Sequence, residues 1–210
     1  MKWERIPLGP LQTNCYVLHH EGEAIVVDPG GGAPQLESWL EQQKVKPAAI
    51  LLTHAHFDHI GAVDHIRKTY NIEVYLHEAE EDWLMDPHKN GSGSFLGANA
   101  ITAKPAEHLL KEEGKLSIGS FTFDVLETPG HSPGSVSFYH EASSTVFSGD
   151  ALFYGSIGRT DLLGGNHEQL LTSIHDKLLT LPEETTVACG HGPVTNIRHE
   201  MDTNPFLNGF

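Results

Sequence analysis

Seven consecutive residues, Thr53-His54-Ala55-His56-Phe57-Asp58-His59, set three imidazoles and a carboxylate side by side, the donor types that divalent metals such as zinc take from proteins. The apolar run ending at Thr53 reads as a strand. An extended chain repeats its side-chain direction every second residue, so His54 and His56 aim the same way and can share one ion. The turn into a following helix carries Asp58 and His59 round to a neighbouring point, where a second ion can sit. Histidine supplies 15 of the 210 residues, yet three of them with one aspartate in this fixed pattern arise by chance in only about 0.4% of chains of such composition. A strand's C-terminal end followed by a helix N-terminus also turns backbone dipoles toward an activated water or an anionic substrate.

Three later segments share one setting, an ionisable ligand on a glycine-bearing turn beside a strand: Thr128-Pro129-Gly130-His131, Ser148-Gly149-Asp150 and Cys189-Gly190-His191-Gly192-Pro193. Taken singly, each is an ordinary surface turn. With the first motif they make five histidines and two aspartates, enough for two ions with three or more protein ligands each if one carboxylate bridges and a position stays open for water. Asp150 is the natural bridge. A divalent ion lowers the pKa of water from 15.7 toward roughly 7 and polarises a bound acyl oxygen, so the expected chemistry is hydrolysis of an ester or thioester by a hydroxide shared between the ions. Ser132 and Ser135 beside His131 invite a serine-nucleophile reading, but the histidines and Asp150 are better used as ligands. A metal-stabilised binding protein without turnover is the alternative from another class. Structural zinc sites are usually closed by four ligands and rich in cysteine, which this set is not.

His54-Ala55-His56-Phe57-Asp58-His59, followed in order by His131, Asp150 and His191, resembles the metal motifs of the metallo-β-lactamase superfamily, and the resemblance spans nearly the whole chain. It implies that His54, His56 and His131 hold one ion, that Asp58, His59 and His191 hold the other, and that Asp150 is shared, with Asp58 and Asp150 as the carboxylates at the reacting centre. It also implies that Asp28, in Val27-Asp28-Pro29-Gly30, supports the metal loop from behind; by itself Asp28 reads equally as a turn residue before proline. The cofactors implied are two divalent ions, zinc first, with iron or manganese as alternatives. Aspartate at position 150 departs from the true β-lactamases, which carry cysteine there, and this disfavours antibiotic hydrolysis. Within the superfamily, Gly149-Asp150-Ala151-Leu152-Phe153 with Gly158-Arg159 is similar to the glyoxalase II enzymes, which split acyl-glutathione thioesters. There Arg159 would contact the thiol portion of the substrate; it can also simply pair with Asp161. Asp161 and Pro193 stand where that family has tyrosines, and the chain ends at Phe210 without that family's C-terminal helical domain, which leaves the thiol open. Gly158-Arg159-Thr160-Asp161 also resembles the persulfide dioxygenases, which use one iron, and a lactonase is the nearer hydrolytic variant.

The elements that must position these residues are legible in the pattern of apolar side chains. Strands are expected over Asn14–His19, Glu23–Asp28, Ala48–Thr53 and Ile72–Leu76, with helices over 34–43 and His59–Tyr70 between them, a further helix near Glu78–Leu84, and a long loop over 86–106 as a candidate lid. Further strands follow at Leu116–Ile118, Phe121–Leu126, Val136–Tyr139 and Thr145–Phe147, then a helix over Glu168–Leu181 and a last strand at Thr185–Cys189. Two sheets, each covered by helices on one face, bury their apolar sides best as an αββα sandwich, expected here as one domain over 1–210. The net charge of −15 excludes most polyanionic partners, nucleic acid among them. No apolar run approaches the roughly 20 residues of a membrane span. The segment Met1-Lys2-Trp3-Glu4-Arg5-Ile6-Pro7 lacks the apolar stretch of a secretory signal, so the expectation is a cytoplasmic protein acting on a small molecule, with Cys15 and Cys189 reduced.

Overall fold

A computed structural model of the chain describes residues 1–207. Two compact units divide it, Met1–Lys111 with Ser117–Phe121, and Glu112–Leu116 with Thr122 onward.

The first unit is built on a six-stranded sheet in chain order: β1 (Lys2–Leu8), β2 (Thr13–His20), β3 (Glu23–Val27), β4 (Lys46–Leu51), β5 (Glu73–His77) and β6 (His108–Leu110). β1 to β3 form an antiparallel meander, and from β3 to β6 the pairing is parallel. The switch follows from connection length, because two residues suffice for the β2–β3 hairpin whereas parallel neighbours need a crossover. Helix α1 (Ala33–Gln43) makes the first crossover, with Pro34 in its first turn and Leu36 and Leu40 buried. Register puts Val17 opposite Val26, Val26 beside Ile50 and Ile50 beside Val74. These side chains share one core with Leu36, Leu40, Val63 and Ile66 of the covering helices, each worth about 1.5–3 kcal/mol when fully buried.

The structure of this unit departs from the expected elements at several points. The helix expected over His59–Tyr70 is two, α2 (Phe57–Ile60) and α3 (Val63–Tyr70). It breaks because the Ala62 amide donates to Pro29 O at 2.8 Å, an interaction with a distant loop. The helix expected near Glu78 is only a 3-10 turn, Glu78–Glu80, entered from His77, whose Nδ1 accepts from the Ala79 amide. The segment 86–106 is not a plain loop. It holds α4 (Ser92–Leu96) and is closed on itself by Asn90 Nδ2 and Ser92 Oγ, both donating to Ile101 O at 2.9 and 3.0 Å. β1 was not expected at all, since its charged and proline residues belong to an exposed edge strand.

In the second unit the strand order is β14-β13-β10-β9-β8-β7, with β7 (Gly114–Ile118), β8 (Phe121–Glu127), β9 (Val136–His140), β10 (Thr145–Gly149), β13 (Thr186–Cys189) and β14 (Thr195–Asn196). β10 and β13 run parallel, and the helix between them is α5 (His167–Ser173), begun by Asn166, whose side chain accepts from the Gln169 amide. Its last turn is π-helical over Ile174–Leu178, so the expected helix ends early. Tyr139, Val146 and Val187 lie in register across β9, β10 and β13 and pack with Leu170, Ile174 and Leu178. A small hairpin, β11 (Leu152–Phe153) with β12 (Ser156–Ile157), projects from the end of β10, and α6 (Ile197–Thr203) closes the described chain. Among the described residues no helix is long and apolar enough to cross a membrane.

Candidate functional site

In the first unit the chemistry-bearing residues collect where two parallel strands end. Asp28 follows the last residue of β3, and the Thr53–His59 segment follows the end of the adjacent β4, so their side chains meet at one sheet edge. Asp28 is buried and held at φ 49°, in the left-handed region. It collects three hydrogens: Oδ1 accepts from the Thr53 amide at 2.8 Å, while Oδ2 accepts from Thr53 Oγ1 at 2.6 Å and from His59 Nδ1 at 2.9 Å. Because the Thr53 hydroxyl hydrogen points to Asp28, its oxygen is left to accept from His54 Nδ1, 3.0 Å away. Both His54 and His59 therefore carry their proton on Nδ1, which makes Nε2 the lone-pair nitrogen of each ring. Asp28, His54 and His59 offer ligand atoms within 4.8 Å of one another, but the carboxylate is committed to these donors and acts as their orienting group.

The rings of His54 and His56 stand nearly perpendicular with centroids 4.8 Å apart, and His54 and His59 are 4.1 Å apart. Asp58 Oδ2 lies 3.6 Å from His59 Nε2 and accepts from Thr13 Oγ1 at 2.9 Å. Two groups outside the motif hold the loop. Glu80 Oε2 accepts from the Ala55 amide at 2.6 Å, fully buried, and the Trp83 ring lies 5.8 Å from that of His56. Neither was expected from the sequence, although Glu80 stands three residues past the end of β5, the parallel neighbour of β4. Cys15, on β2, is buried, and that burial, reinforced by the Asp28 charge, pushes its thiol well above the usual range. Cys189 is buried too, and its Sγ donates to His191 O at 3.1 Å and Pro193 O at 3.2 Å.

The second unit repeats the device. β10 and β13 are parallel, Asp150 follows β10, and His191 comes two residues after β13, with the Gly190 amide donating to Gly149 O at 2.7 Å. His131, on the turn after β8, is buried and donates from Nδ1 to Arg159 O at 2.8 Å, again leaving Nε2 as the lone-pair nitrogen. A single oxygen, Asp150 Oδ2, lies 3.6 Å from His131 Nε2 and 3.6 Å from His191 Nε2. That is longer than a hydrogen bond and close to the roughly 3.2–3.6 Å that separates two ligand atoms each about 2.0–2.2 Å from one ion. The donor set of neutral imidazoles and carboxylates, with its tautomers fixed from behind, fits divalent metals. Arg159 contributes its carbonyl to this arrangement. Its side chain is exposed and forked onto Asp161, Nε to Oδ1 at 2.7 Å and Nη2 to Oδ2 at 2.8 Å, and the hydrogen bond from Arg159 lowers the Asp161 carboxyl to about 2.

Residues 8–191 match the Metallo-beta-lactamase superfamily. The chain belongs to that superfamily. It is 55% identical over its full length to "Probable metallo-hydrolase YqgX" of Bacillus subtilis, covering 99% of that protein. It is 35% identical to "Hydroxyacylglutathione hydrolase GloC" of Haemophilus influenzae, covering 99% of each chain. Among solved structures, the "BLEG-1 B3 metallo-beta-lactamase" superimposes with a TM-score of 0.97 at 59% identity, covering 99% of this chain and 100% of that one. The protein TTHA1623 "in a di-iron-bound form" gives 0.86 at 40% identity, over 97% and 100%. The fold is thus the metallo-β-lactamase fold, two mixed sheets flanked by helices, in the α/β sandwich class expected. Membership makes this chain a metal-dependent enzyme of a metallo-hydrolase superfamily.

Proposed function

We propose that this chain hydrolyses a thioester, of the hydroxyacyl-thiol class, with His54, His56 and His131 holding one divalent ion, Asp58, His59 and His191 holding a second, and Asp150 shared between them. The observation that carries the reading is the position of Asp150 Oδ2, equally distant from the lone-pair nitrogens of His131 and His191 at 3.6 Å, where one carboxylate oxygen can serve two ions. The relative named as a hydroxyacylglutathione hydrolase, 35% identical, supports the substrate class. Bound ions supply Lewis acidity, bringing the pKa of water toward roughly 7 and polarising an acyl oxygen.

The chain's own residues do the rest. Asp28 and the Arg159 carbonyl keep the protons of His59 and His131 on Nδ1, so that neutral nitrogens face the ions without any proton rearrangement during turnover. Asp58, aimed by the Thr13 hydroxyl, and Asp150 bring negative charge that offsets the two ions and can hold the proton released when water attacks. Ser132 and Ser135 hydrogen-bond to each other at 2.8 Å in a buried position, so neither has a histidine as its hydrogen-bond partner in that contact, as an activated nucleophile would. Arg159, anchored by Asp161, has its remaining N–H groups for a carboxylate on the thiol portion of the substrate.

Protein loaded with zinc, and separately with iron, should be assayed on lactoyl-glutathione and other hydroxyacyl thioesters, on lactones, on a β-lactam, and on glutathione persulfide with oxygen uptake followed. The expected result is two metal equivalents per chain and the highest kcat/KM on a thioester, abolished in a folded Asp150→Ala variant. One iron per chain with oxygen consumption, or a preference for the lactone or β-lactam, would overturn the proposal.

A further inference from the structure

We propose that Glu200 is a positioning residue for the metal ligands of the second unit, acting as a buried latch on the β11–β12 hairpin. This rests on the reading of His131 and Asp150 as ligands. Glu200 is fully buried on α6, with His199 Nε2 3.9 Å from its Oε1. Its Oε2 accepts from the Gly155 amide at the hairpin tip at 2.9 Å and from Asn204 Nδ2 at 2.7 Å, and its Oε1 accepts from Thr195 Oγ1 at 2.5 Å. Asn204 Nδ2 also reaches Ser156 O at 3.1 Å, and the ring of His199 stacks on Tyr154 with centroids 4.8 Å apart and 19° between planes. Residues 199, 200 and 204 thus grip three successive hairpin residues, Tyr154, Gly155 and Ser156.

What the hairpin joins explains why such a latch is useful. Its first strand begins two residues after Asp150, and its second runs directly into Gly158 and Arg159. The Gly158 amide donates to Ala151 O at 3.1 Å, and a Cβ on Gly158 would lie 1.8 Å from Asp150 O and 3.3 Å from the His131 Cβ. The backbone at 158–159 is therefore pressed against Asp150 on one side, while Arg159 O holds the His131 Nδ1 proton on the other. A hairpin free to shift would move that carbonyl and the Asp150 turn together. A carboxylate sharing three donors in a water-excluded position is a stiff anchor, since hydrogen bonds to a charged acceptor are roughly twice as strong as neutral ones. Groups that hydrogen-bond a metal ligand directly typically alter metal affinity 10–100-fold when removed, and Glu200, which reaches His131 only through the hairpin and Arg159 O, should act near or below the lower end of that range.

The test compares metal affinity, by competition with a chromophoric chelator, in wild type and in Glu200→Gln, Glu200→Asp and Asn204→Ala, each with its thermal midpoint. Leu171→Ala, in the core of the same unit, serves as a stability-matched control. Glu200→Gln should bind metal several-fold to about 10-fold more weakly, Asn204→Ala should fall between it and wild type, and Glu200→Asp should recover part of the loss, while Leu171→Ala keeps wild-type affinity. If Glu200→Gln does not fold, Asn204→Ala alone decides. Equal affinity in wild type and the folded latch variants, or an equal loss in Leu171→Ala, would overturn the proposal. Unchanged affinity in Asp150→Ala would instead remove the ligand assignment on which it rests.

Discussion

Three of the histidines proposed as metal ligands, His54, His59 and His131, are oriented through Nδ1 by the Thr53 hydroxyl, the Asp28 carboxylate and the Arg159 carbonyl. Asp28 does this for His59 directly and for His54 through the Thr53 hydroxyl, and it takes the left-handed backbone conformation to do so. Asn is the informative replacement, because it tolerates that conformation as well as aspartate does and keeps one acceptor oxygen. It cannot accept at both positions, however, so either Thr53 or His59 loses its acceptor and the charge that favours the Nδ1-protonated ring is gone. Asp28→Asn should therefore lower kcat/KM about 10–100-fold with a thermal midpoint close to wild type. Unchanged kinetics in that variant would reduce Asp28 to a turn residue, the plainer reading its sequence context allows.

At the scale of elements the two units use one solution twice: a parallel pair of strands, an acid after one and histidine after the other. In both, a glycine lets a second stretch of backbone press against an aspartate of the candidate site, Asp58 in the first unit and Asp150 in the second. A Cβ on Gly30 would lie 1.8 Å from Asp58 O, as one on Gly158 would from Asp150 O. Neither backbone oxygen can yield as a flexible side chain would, so Gly30→Ala and Gly158→Ala should each cost about 1–3 kcal/mol in chemical denaturation and depress activity further than that loss explains. Wild-type activity in either would mean that the aspartates are not held by these contacts. The clustered histidines and aspartates and the strands before them were legible in the sequence, because metal chemistry restricts residue type and buried parallel strands read as apolar runs. Glu80 and Glu200 were not. Each acts on backbone amides, 25 and 45 residues away in sequence, and nothing in a glutamate's neighbours announces that. The break between α2 and α3 escaped for the same reason: the Pro29 carbonyl that ends the helix is remote in sequence. The short pieces β6, β11, β12 and β14, of two or three residues, carry too few side chains to show a period.

For the whole molecule, a net charge of −15 and a concentration of carboxylates and imidazoles at two sheet edges set the balance between apo and metal-loaded states. Without ions, Asp58 and Asp150 sit in partly buried positions beside imidazole rings, with their charge incompletely solvated. Ions that bind only the native chain stabilise it by mass action, about 2.7 kcal/mol per site at a concentration 100-fold above Kd. In a chain of this length that raises the thermal midpoint by roughly 5–10 °C. Stripping with a chelator should lower Tm by at least that much, and titrating zinc back should restore it with a dependence on the logarithm of free metal that saturation cannot flatten, because native-state binding keeps pulling the unfolding equilibrium. On the proposed assignment, in which Asp150 is shared and His56 serves one ion, substituting Asp150 should remove more of this metal-dependent shift than substituting His56. A Tm indifferent to chelation, measured by calorimetry on protein verified to have bound metal beforehand, would mean that the unfolded chain binds the ions as tightly as the native one, and so that the fold builds no dedicated metal site.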